Sequence, residues 1–454
     1  MTRWGWKRFW GVAATAGLVA CLLAAPAAAE RGALDRSFGE RGSVTTPAPL
    51  GGHWSQAKVQ VAATADGGSV VASGAKLYRY TATGQLDSAF GSGGTLEVKI
   101  SDSLEFKATD LAVDPEGRIV AIGTATRWGS SRQPQPSFAA VVRYLPDGSP
   151  DPSFGDDGHV TSDFGLHSRA GAPPVVASFG AVGKTGEVTL VVGKVERRAS
   201  CGGPPRLGEH DLLVARLGAE GHPDRSFGER GTRRIGALEE VAAMAFSQDG
   251  EIMLAGPLPR RCGNGPESAV ISLAPDGSPR RSFGTRRFTG RAAAIAVDHR
   301  GRTVVLFHER QTAQRNEHDY KVLRLLPDGG LDPDFSGGWV VFEAEGPSYQ
   351  WSSLAIDSHN RPLLIGTLVR ELPPQRRGPR FHRWMMVVPL RESGLNRGGF
   401  GFRGWIAITR LDSSSDATAS EGLLEGEHRL LLAGTVQRPS LAPRGGIGLV
   451  RLEI

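Results

Sequence analysis

The chain has 454 residues, of which 40% are hydrophobic, 22% charged and only 7% aromatic, with 61 glycines and 29 prolines. So many turn formers, with no long stretch of 3.6-residue periodicity beyond the N-terminus, exclude a helical bundle or coiled coil and point to many short strands. The formal net charge is +6, and three of the cations (Arg3, Lys7, Arg8) lie in the first 29 residues, so the remainder carries +3, too little for a nucleic-acid-binding charge pattern.

Residues 1–29 read as a Sec-type signal peptide. Arg3, Lys7 and Arg8 precede an apolar run that closes on the small residues Ala27, Ala28 and Ala29, which makes Glu30 the first mature residue. A second processing site is written at Leu18-Val19-Ala20-Cys21, a lipobox whose Cys21 would carry lipid and anchor the protein. The residues after Cys21 stay apolar through Ala29, where a tether would turn polar, and this favours release. The expected location is outside the cell or in the periplasm and envelope, with the lipoprotein as the alternative. Nothing after the leader is apolar for long enough to span a bilayer as a helix.

From residue 34 onward one phrase recurs. "LDRSFG" at 34 is followed by "LDSAFG" at 86, "PDPSFG" at 150, "PDRSFG" at 223, "PRRSFG" at 279, "LDPDFS" at 331 and a degenerate "LNRGGFGFRG" from 395. Its aromatic residues are Phe38, Phe90, Phe154, Phe227, Phe283, Phe335 and Phe400, separated by 52, 64, 73, 56, 52 and 65 residues. Each interval has room for four short strands. The first two strands meet at an Asp/Gly turn, as in "LAVDPEGRIVAIG" (111–123) and "AIAVDHRGRTVVLF" (294–307). A loop of variable length leads to a third strand and a second tight turn, as in "FAAVVRYLPDGSPDPSFG" (138–155), and the fourth strand begins after the Phe.

A four-stranded unit cannot bury both of its faces alone, so successive units must stack. The two ends supply one further unit between them: "LDRSFGERGSV" is a fourth strand without its first three, and "GIGLVRLEI" (446–454) is a third strand without its fourth. The fold class expected is all-β, a seven-bladed β-propeller of four-stranded antiparallel blades spanning residues 30–454, with the last blade closed by the N-terminal strand. In it the Phe residues are wedges between blades, the following Gly admits a bend closed to other residues, and the Asp accepts from the amides of its own turn.

The recurring "LDxSFGxxG" phrase, alternating with "DG" hairpins, resembles the delta-60 repeat of bacterial secreted β-propellers along essentially the whole mature chain. Phe283 follows "PRR" without an Asp, and the copy around Phe400 is degenerate. The resemblance implies a propeller in an envelope or extracellular setting and brings no catalytic residues with it.

Cys201 and Cys262 lie in the loops between second and third strands of consecutive units. In a meander such loops leave the same face, so the two thiols are expected on one rim and, in an oxidising compartment, joined as a disulfide. Free thiols and a metal pair are the alternatives. The same long loops carry Arg127, Trp128, Arg197, Arg198, Arg260, Arg261, Arg376, Arg377 and Arg380, candidates for an anion-binding face with Trp128, Phe381, His382 and Trp384 as stacking surfaces. Against this stands the general preference for Arg (45, against 8 Lys), since wet loops collect charge in any case.

Catalytic patterns are wanting. "FGAVGKTG" (179–186) imitates a phosphate loop but has Ser178 where the first Gly must stand, and it aligns with the first turn of other units. His308, Glu317, His318 and Asp319 have no metal-ligand spacing, and Asp156 with Asp157 offers too few oxygens for calcium. No metal or cofactor is therefore expected. The reading is of a monomeric, non-catalytic binding or interaction module, taking an anionic cell-envelope polymer or a protein partner on its long-loop face. A hydrolase or lyase working in the central channel and a structural envelope protein are the alternatives.

Overall fold

The computed structural model describes residues 32–48, 58–127, 135–166, 174–194, 212–259, 267–310, 318–342, 348–371, 381–395, 406–408, 416–437 and 445–454. The fold is a seven-bladed β-propeller. β1 (Ser43–Pro47) comes first in the chain. Blade 1 is β2 (Gln60–Ala63), β3 (Ser69–Ser73), β4 (Lys76–Tyr80) and β5 (Thr95–Glu97). Blade 2 is β6 (Leu104–Val113), β7 (Ile119–Arg127), β8 (Ser137–Tyr144) and β9 (His159–Ser162). Blade 3 is β10 (Val175–Val182), β11 (Val188–Lys194), β12 (Leu212–Leu217) and β13 (Thr232–Arg234). Blade 4 is β14 (Ala243–Phe246), β15 (Ile252–Pro257), β16 (Glu267–Leu273) and β17 (Thr285–Thr289). Blade 5 is β18 (Arg291–Val297), β19 (Thr303–Arg310), β20 (His318–Leu325) and β21 (Trp339–Phe342). Blade 6 is β22 (Ser348–Ile356), β23 (Pro362–Glu371), β24 (Phe381–Pro389) and β25 (Ile406–Ile408). Blade 7 is β26 (Asp416–Glu425), β27 (Arg429–Gln437) and β28 (Gly445–Glu453), completed by β1.

Within every blade the strands pair antiparallel in chain order, and the first strands β2, β6, β10, β14, β18, β22 and β26 touch one another in a closed ring about the axis. Second strands have a blade on each side. They are therefore nearly continuous apolar runs, and "SVVAS" of β3 is buried at all five positions. Their side chains alternate between the two neighbouring cores: Val70 and Ala72 join the cluster shared with blade 2, while Val71 joins the one shared with blade 7.

Closure is made in blade 7. β1 pairs with β28 from Ser43 opposite Val450 to Pro47 opposite Gly446, Leu34 bridges Leu452, and the Gly32 amide donates to the Glu453 carbonyl at 2.6 Å. β1 thus covers the edge that β28 would otherwise leave bare. Among the described residues no helix is long and apolar enough to cross a membrane.

Five of the first strands carry a bulge. The register shifts between Ala108 and Asp110, Ala177 and Phe179, Ala292 and Ala294, Trp351 and Ser353, and Ala419 and Glu421. A bulge turns the side chains that follow it, and here it does so where the strands line the axis.

Candidate binding face and axial channel

The repeated phrase spends its chemistry at the junctions between blades. Phe38, Phe90, Phe154, Phe227, Phe283 and Phe335 are all buried. Phe38, Phe90, Phe227 and Phe335 lie against the second tight turn of the next blade, where Gly84, Gly148, Gly277 and Gly394 leave room for the ring. A Cβ on Gly148 would stand 3.0 Å from the Phe90 ring, and one on Gly277 would stand 2.9 Å from that of Phe227. The residue after the Phe then bonds across the junction: the amides of Gly39, Gly91, Gly155 and Gly228 donate to the carbonyls of Thr83, Asp147, Glu220 and Asp276 at 2.8–2.9 Å. Phe400 lies outside the described residues.

The Asp of the phrase does accept from its own turn. Asp151 takes the Ser153 amide at 3.0 Å and hydroxyl at 2.7 Å. It also takes a partner from outside the repeated phrase. Arg143, eight residues earlier on β8, donates from Nε to Asp151 at 2.7 Å and lies 4.4 Å over the Phe154 ring, and its Nη1 reaches the Ala219 carbonyl of blade 3 at 2.5 Å. The same clamp joins Arg216, Asp224, Phe227 and the Pro275 carbonyl, and again Arg324, Asp332, Phe335 and the Glu392 carbonyl. Arg79 pairs with Asp87 and reaches the Pro146 carbonyl. In blade 7 the two halves come from opposite ends of the chain: Arg451 Nε meets Asp35 at 2.7 Å, its guanidinium lies 4.5 Å over Phe38, and Nη1 reaches the Ala82 carbonyl of blade 1 at 2.7 Å.

Burial of these carboxylates works against their ionised form. The Ser hydroxyl, the turn amide and the guanidinium outweigh it and hold Asp35, Asp151 and Asp224 below the usual range. Burial and the nearby Arg118 charge lower Arg143 as well, but from so high a starting value that it stays charged. First turns add further Asp–Arg pairs at i, i+4: Asp114 with Arg118, Asp298 with Arg302 and Asp357 with Arg361, at 2.5–2.7 Å. The turn face is thus crossed by ion pairs serving the ring itself.

Blade 4 breaks the pattern as a unit. Ser272 stands where the clamp Arg would be and Arg280 where the Asp would be; Arg280 turns to Glu251 at 2.5 Å, and the buried Ser272 hydroxyl has no partner among the described residues. The crossing to blade 5 is made by Arg286, which donates to the Asp328 carbonyl at 2.8 Å.

Two carboxylates face the axis just beyond bulges. Asp110 on β6 accepts the amide of Gly180 on β10 at 2.9 Å, and Glu421 on β26 accepts that of Val61 on β2 at 2.8 Å, so each satisfies the open edge of the next blade's first strand. Enclosure by protein raises both: Asp110 to about 6, opposed by two amide bonds and the Lys58 charge, and Glu421 to about 8, helped upward by the Asp110 charge. Among the described residues no three His, Cys, Asp or Glu side chains gather as a metal site would require.

The other departure from sevenfold repetition is aromatic and lies toward the long-loop end of the seam between blades 5 and 6. The residue before the bulge is a buried alanine in four first strands: Ala108, Ala177, Ala292 and Ala419. In blade 6 it is Trp351. Its ring is parallel to that of Tyr349, with centroids 6.1 Å apart, and meets Tyr320 of blade 5 edge-on at 5.9 Å. His308 stacks on Tyr320 at 4.9 Å, and Trp384 of β24 packs on the same cluster. At the strand start beside them His382 is 3.1 Å from Asp416 of blade 7 and tilts toward Trp384 at 5.8 Å. Among the described residues the buried Trp351 indole nitrogen has no hydrogen-bond partner.

Of the residues singled out from sequence for ligand contact, Arg127 ends β7 and is exposed. Trp128, Arg197, Arg198, Arg260, Arg261, Arg376, Arg377 and Arg380 lie outside the described residues, as do Cys201, Cys262 and the 1–29 leader. Phe381 begins β24, and its side chain is not among those described. His308, weighed above as a metal ligand, is a strand residue stacked on Tyr320, because β19 runs on to Arg310. The segment resembling a phosphate loop is a strand and a tight turn, closed by the Gly183 amide on the Glu187 carbonyl at 2.8 Å.

Comparison with known proteins agrees on the architecture. Residues 115–154 match the family described as a domain of unknown function (DUF5122), beta-propeller. No curated protein sequence matches the chain. Among solved structures, a chain in the S. cerevisiae complex of Dbp5 with Nup159, Gle1, IP6 and ADP aligns with a TM-score of 0.41 at 10% identity, covering 91% of this chain and 94% of that one. A Xanthomonas campestris gluconolactonase aligns at 0.34 and 15% identity over 72% and 95%, and a Fusarium graminearum α-L-arabinofuranosidase at 0.36 and 11% over 78% and 98%. Likeness at this level carries no argument about this chain.

Proposed function

We propose that the protein is a non-catalytic binding module of the extracellular space or cell envelope, exported by its Sec-type leader. Its long-loop face engages an anionic envelope polymer or a protein partner. The observation carrying this reading is the exchange of alanine for Trp351 on that side of a ring whose other repeated chemistry is consumed at the junctions. Sequences keep a local rule where only folding is at stake and break it where function intervenes. Arg127 and the loop arginines would supply charge to the long-loop face, and a Cys201–Cys262 disulfide would brace two of the loops.

The test is a thermal melt of the mature protein with polygalacturonate and with poly(glycerol phosphate). A ligand selective for the folded form raises the midpoint. Replacing Arg197, Arg198, Arg376 and Arg377 by serine should reduce that rise; an unchanged rise in the variant defeats the basic-face reading.

A second reading has one observation in its favour. Asp110 and Glu421 form a pair of axial carboxylates with raised and unequal proton affinities, the arrangement a general acid and base would need in a channel hydrolase. Both are already committed to neighbouring amides, which is why binding is preferred. Turnover of a glycoside by wild type, lost in Glu421→Gln, would reverse that preference.

A further inference from the structure

We infer that the seam between blades 5 and 6 is a carbohydrate subsite in which Tyr349, Trp351 and Trp384 receive a pyranose ring and the Trp351 indole N–H binds one of its hydroxyls. This deepens the binding-module reading and rests on it. Three independent features converge on the seam.

The first is symmetry. A buried alanine suffices before the bulge in four other first strands, so the repeated unit does not itself require an indole at this position. The second is shape. Tyr349 and Trp351 stand two residues apart on one strand, with rings only 15° from parallel, centroids 6.1 Å apart, and both only partly buried. A pyranose offers an apolar face of axial C–H bonds to such a surface while its hydroxyls project from the ring edge. Tyr and Trp suit this because each joins a broad apolar body to a polar tip. The third is an unmet donor. A buried N–H without an acceptor is destabilising, and among the described residues the Trp351 nitrogen has none. A hydroxyl entering from the long-loop end would be an acceptor. The His382–Asp416 pair stands beside Trp384 with the histidine side chain 41% exposed, so a second, polar contact is available at the edge of the seam. A few directed polar groups on an aromatic wall are the usual make-up of a small-ligand site.

The experiment uses the mature protein with a neutral hexose tetrasaccharide, an N-acetylhexosamine tetrasaccharide and a uronate tetrasaccharide, followed by calorimetry and by tryptophan emission. At least one sugar should bind and shift the emission. Trp351→Ala removes a ring packed on Tyr349 and Tyr320 and should lower the melting midpoint, so Trp351→Phe is its companion variant: it keeps an aromatic ring, loses the indole N–H and should melt close to wild type, while sugar affinity falls by about tenfold or more in both. Trp384→Ala should act in the same direction. Three results would overturn the inference: no sugar binds to wild type; Trp351→Ala binds sugar as wild type does; or the losses appear with aromatic peptides and not with sugars. If poly(glycerol phosphate) binds wild type and Trp351→Ala equally while all three sugars are ignored, the subsite falls and the anionic binding module stands.

Discussion

Arg451 and Asp35 are 416 positions apart in the chain, yet the guanidinium Nε of one donates to the carboxylate of the other at 2.7 Å, with both groups nearly removed from solvent. This pair occupies in blade 7 the place that Arg143 and Asp151 occupy in blade 2, so the closing blade is locked by the same device as the continuous ones. Breaking one partner of a buried pair strands the other charge and typically costs about 3–5 kcal/mol. Arg451→Met should fall in that range by urea denaturation, as should Arg143→Met. Arg216→Met should cost less, because the Arg216–Asp224 pair is 15% and 23% exposed. An Arg451→Met cost equal to or below that of Arg216→Met would show that closure does not depend on the clamp.

Removal of residues 30–47 tests the closing strand. It strips β1 from β28 and leaves β28 with unpaired amides along its outer edge. The truncated protein is expected to self-associate, with a concentration-dependent light-scattering signal that wild type lacks.

Gly148 sits at φ +89° against the Phe90 ring and the Gly91 amide, whereas Gly74, at φ +63°, has open space around its missing Cβ. Both alanine variants suffer the backbone penalty of about 1–2 kcal/mol, but only Gly148→Ala must also push the wedge out of its groove. Its loss of stability should exceed that of Gly74→Ala by about 1 kcal/mol or more, in keeping with overpacking. Equal losses would mean that the junction yields freely.

Opposite pH responses are built into the molecule. The clamp carboxylates have depressed proton affinities, so their contribution is present above their unfolded value near 3.8 and is lost as pH falls through the lower folded values. Asp110 and Glu421 are raised, to about 6 and about 8, so the native state holds protons that the unfolded chain has released; their contribution is complete below about 4 and fades as pH climbs through 6 and then 8. Stability should therefore peak in mildly acidic solution. Glu421→Gln, which can still accept the Val61 amide, should flatten the alkaline limb of a midpoint-against-pH curve. An alkaline limb as steep as that of wild type would remove Glu421 as its cause.

Blade 4 offers a gain-of-function test of the clamp. Ser272→Arg together with Arg280→Asp restores both missing partners, and the double variant should exceed the sum of the single ones by about 1 kcal/mol or more in a coupling cycle. Additive singles would indicate that the clamp does not act as a unit.

The ring and its closure were legible because Phe, Asp and Gly recur in one short phrase whose spacing survives changes in loop length. The clamp arginines were harder to see. Each precedes its Asp by eight residues, as Arg79, Arg143, Arg216 and Arg324 do, but that interval crosses a hairpin, and in a chain with 45 arginines it did not stand out. Blade 4 held the available clue, since it lacks the Arg and the Asp together. Trp351 escaped for a different reason. Its equivalence to Ala108, Ala177, Ala292 and Ala419 is defined by the bulge, and neither the bulge nor a register across loops of unequal length can be read from one sequence.

The pairing of Gly32 with Glu453 has a mechanical corollary. Because β1 and β28 run antiparallel with their outer ends together, tension between whatever precedes Gly32 and whatever follows Ile454 would peel one hydrogen bond at a time from a single blade, the low-force geometry of a zip, and spare the other six. A tether at one end alone would bypass that peeling geometry altogether, since the load would no longer be carried between the two termini.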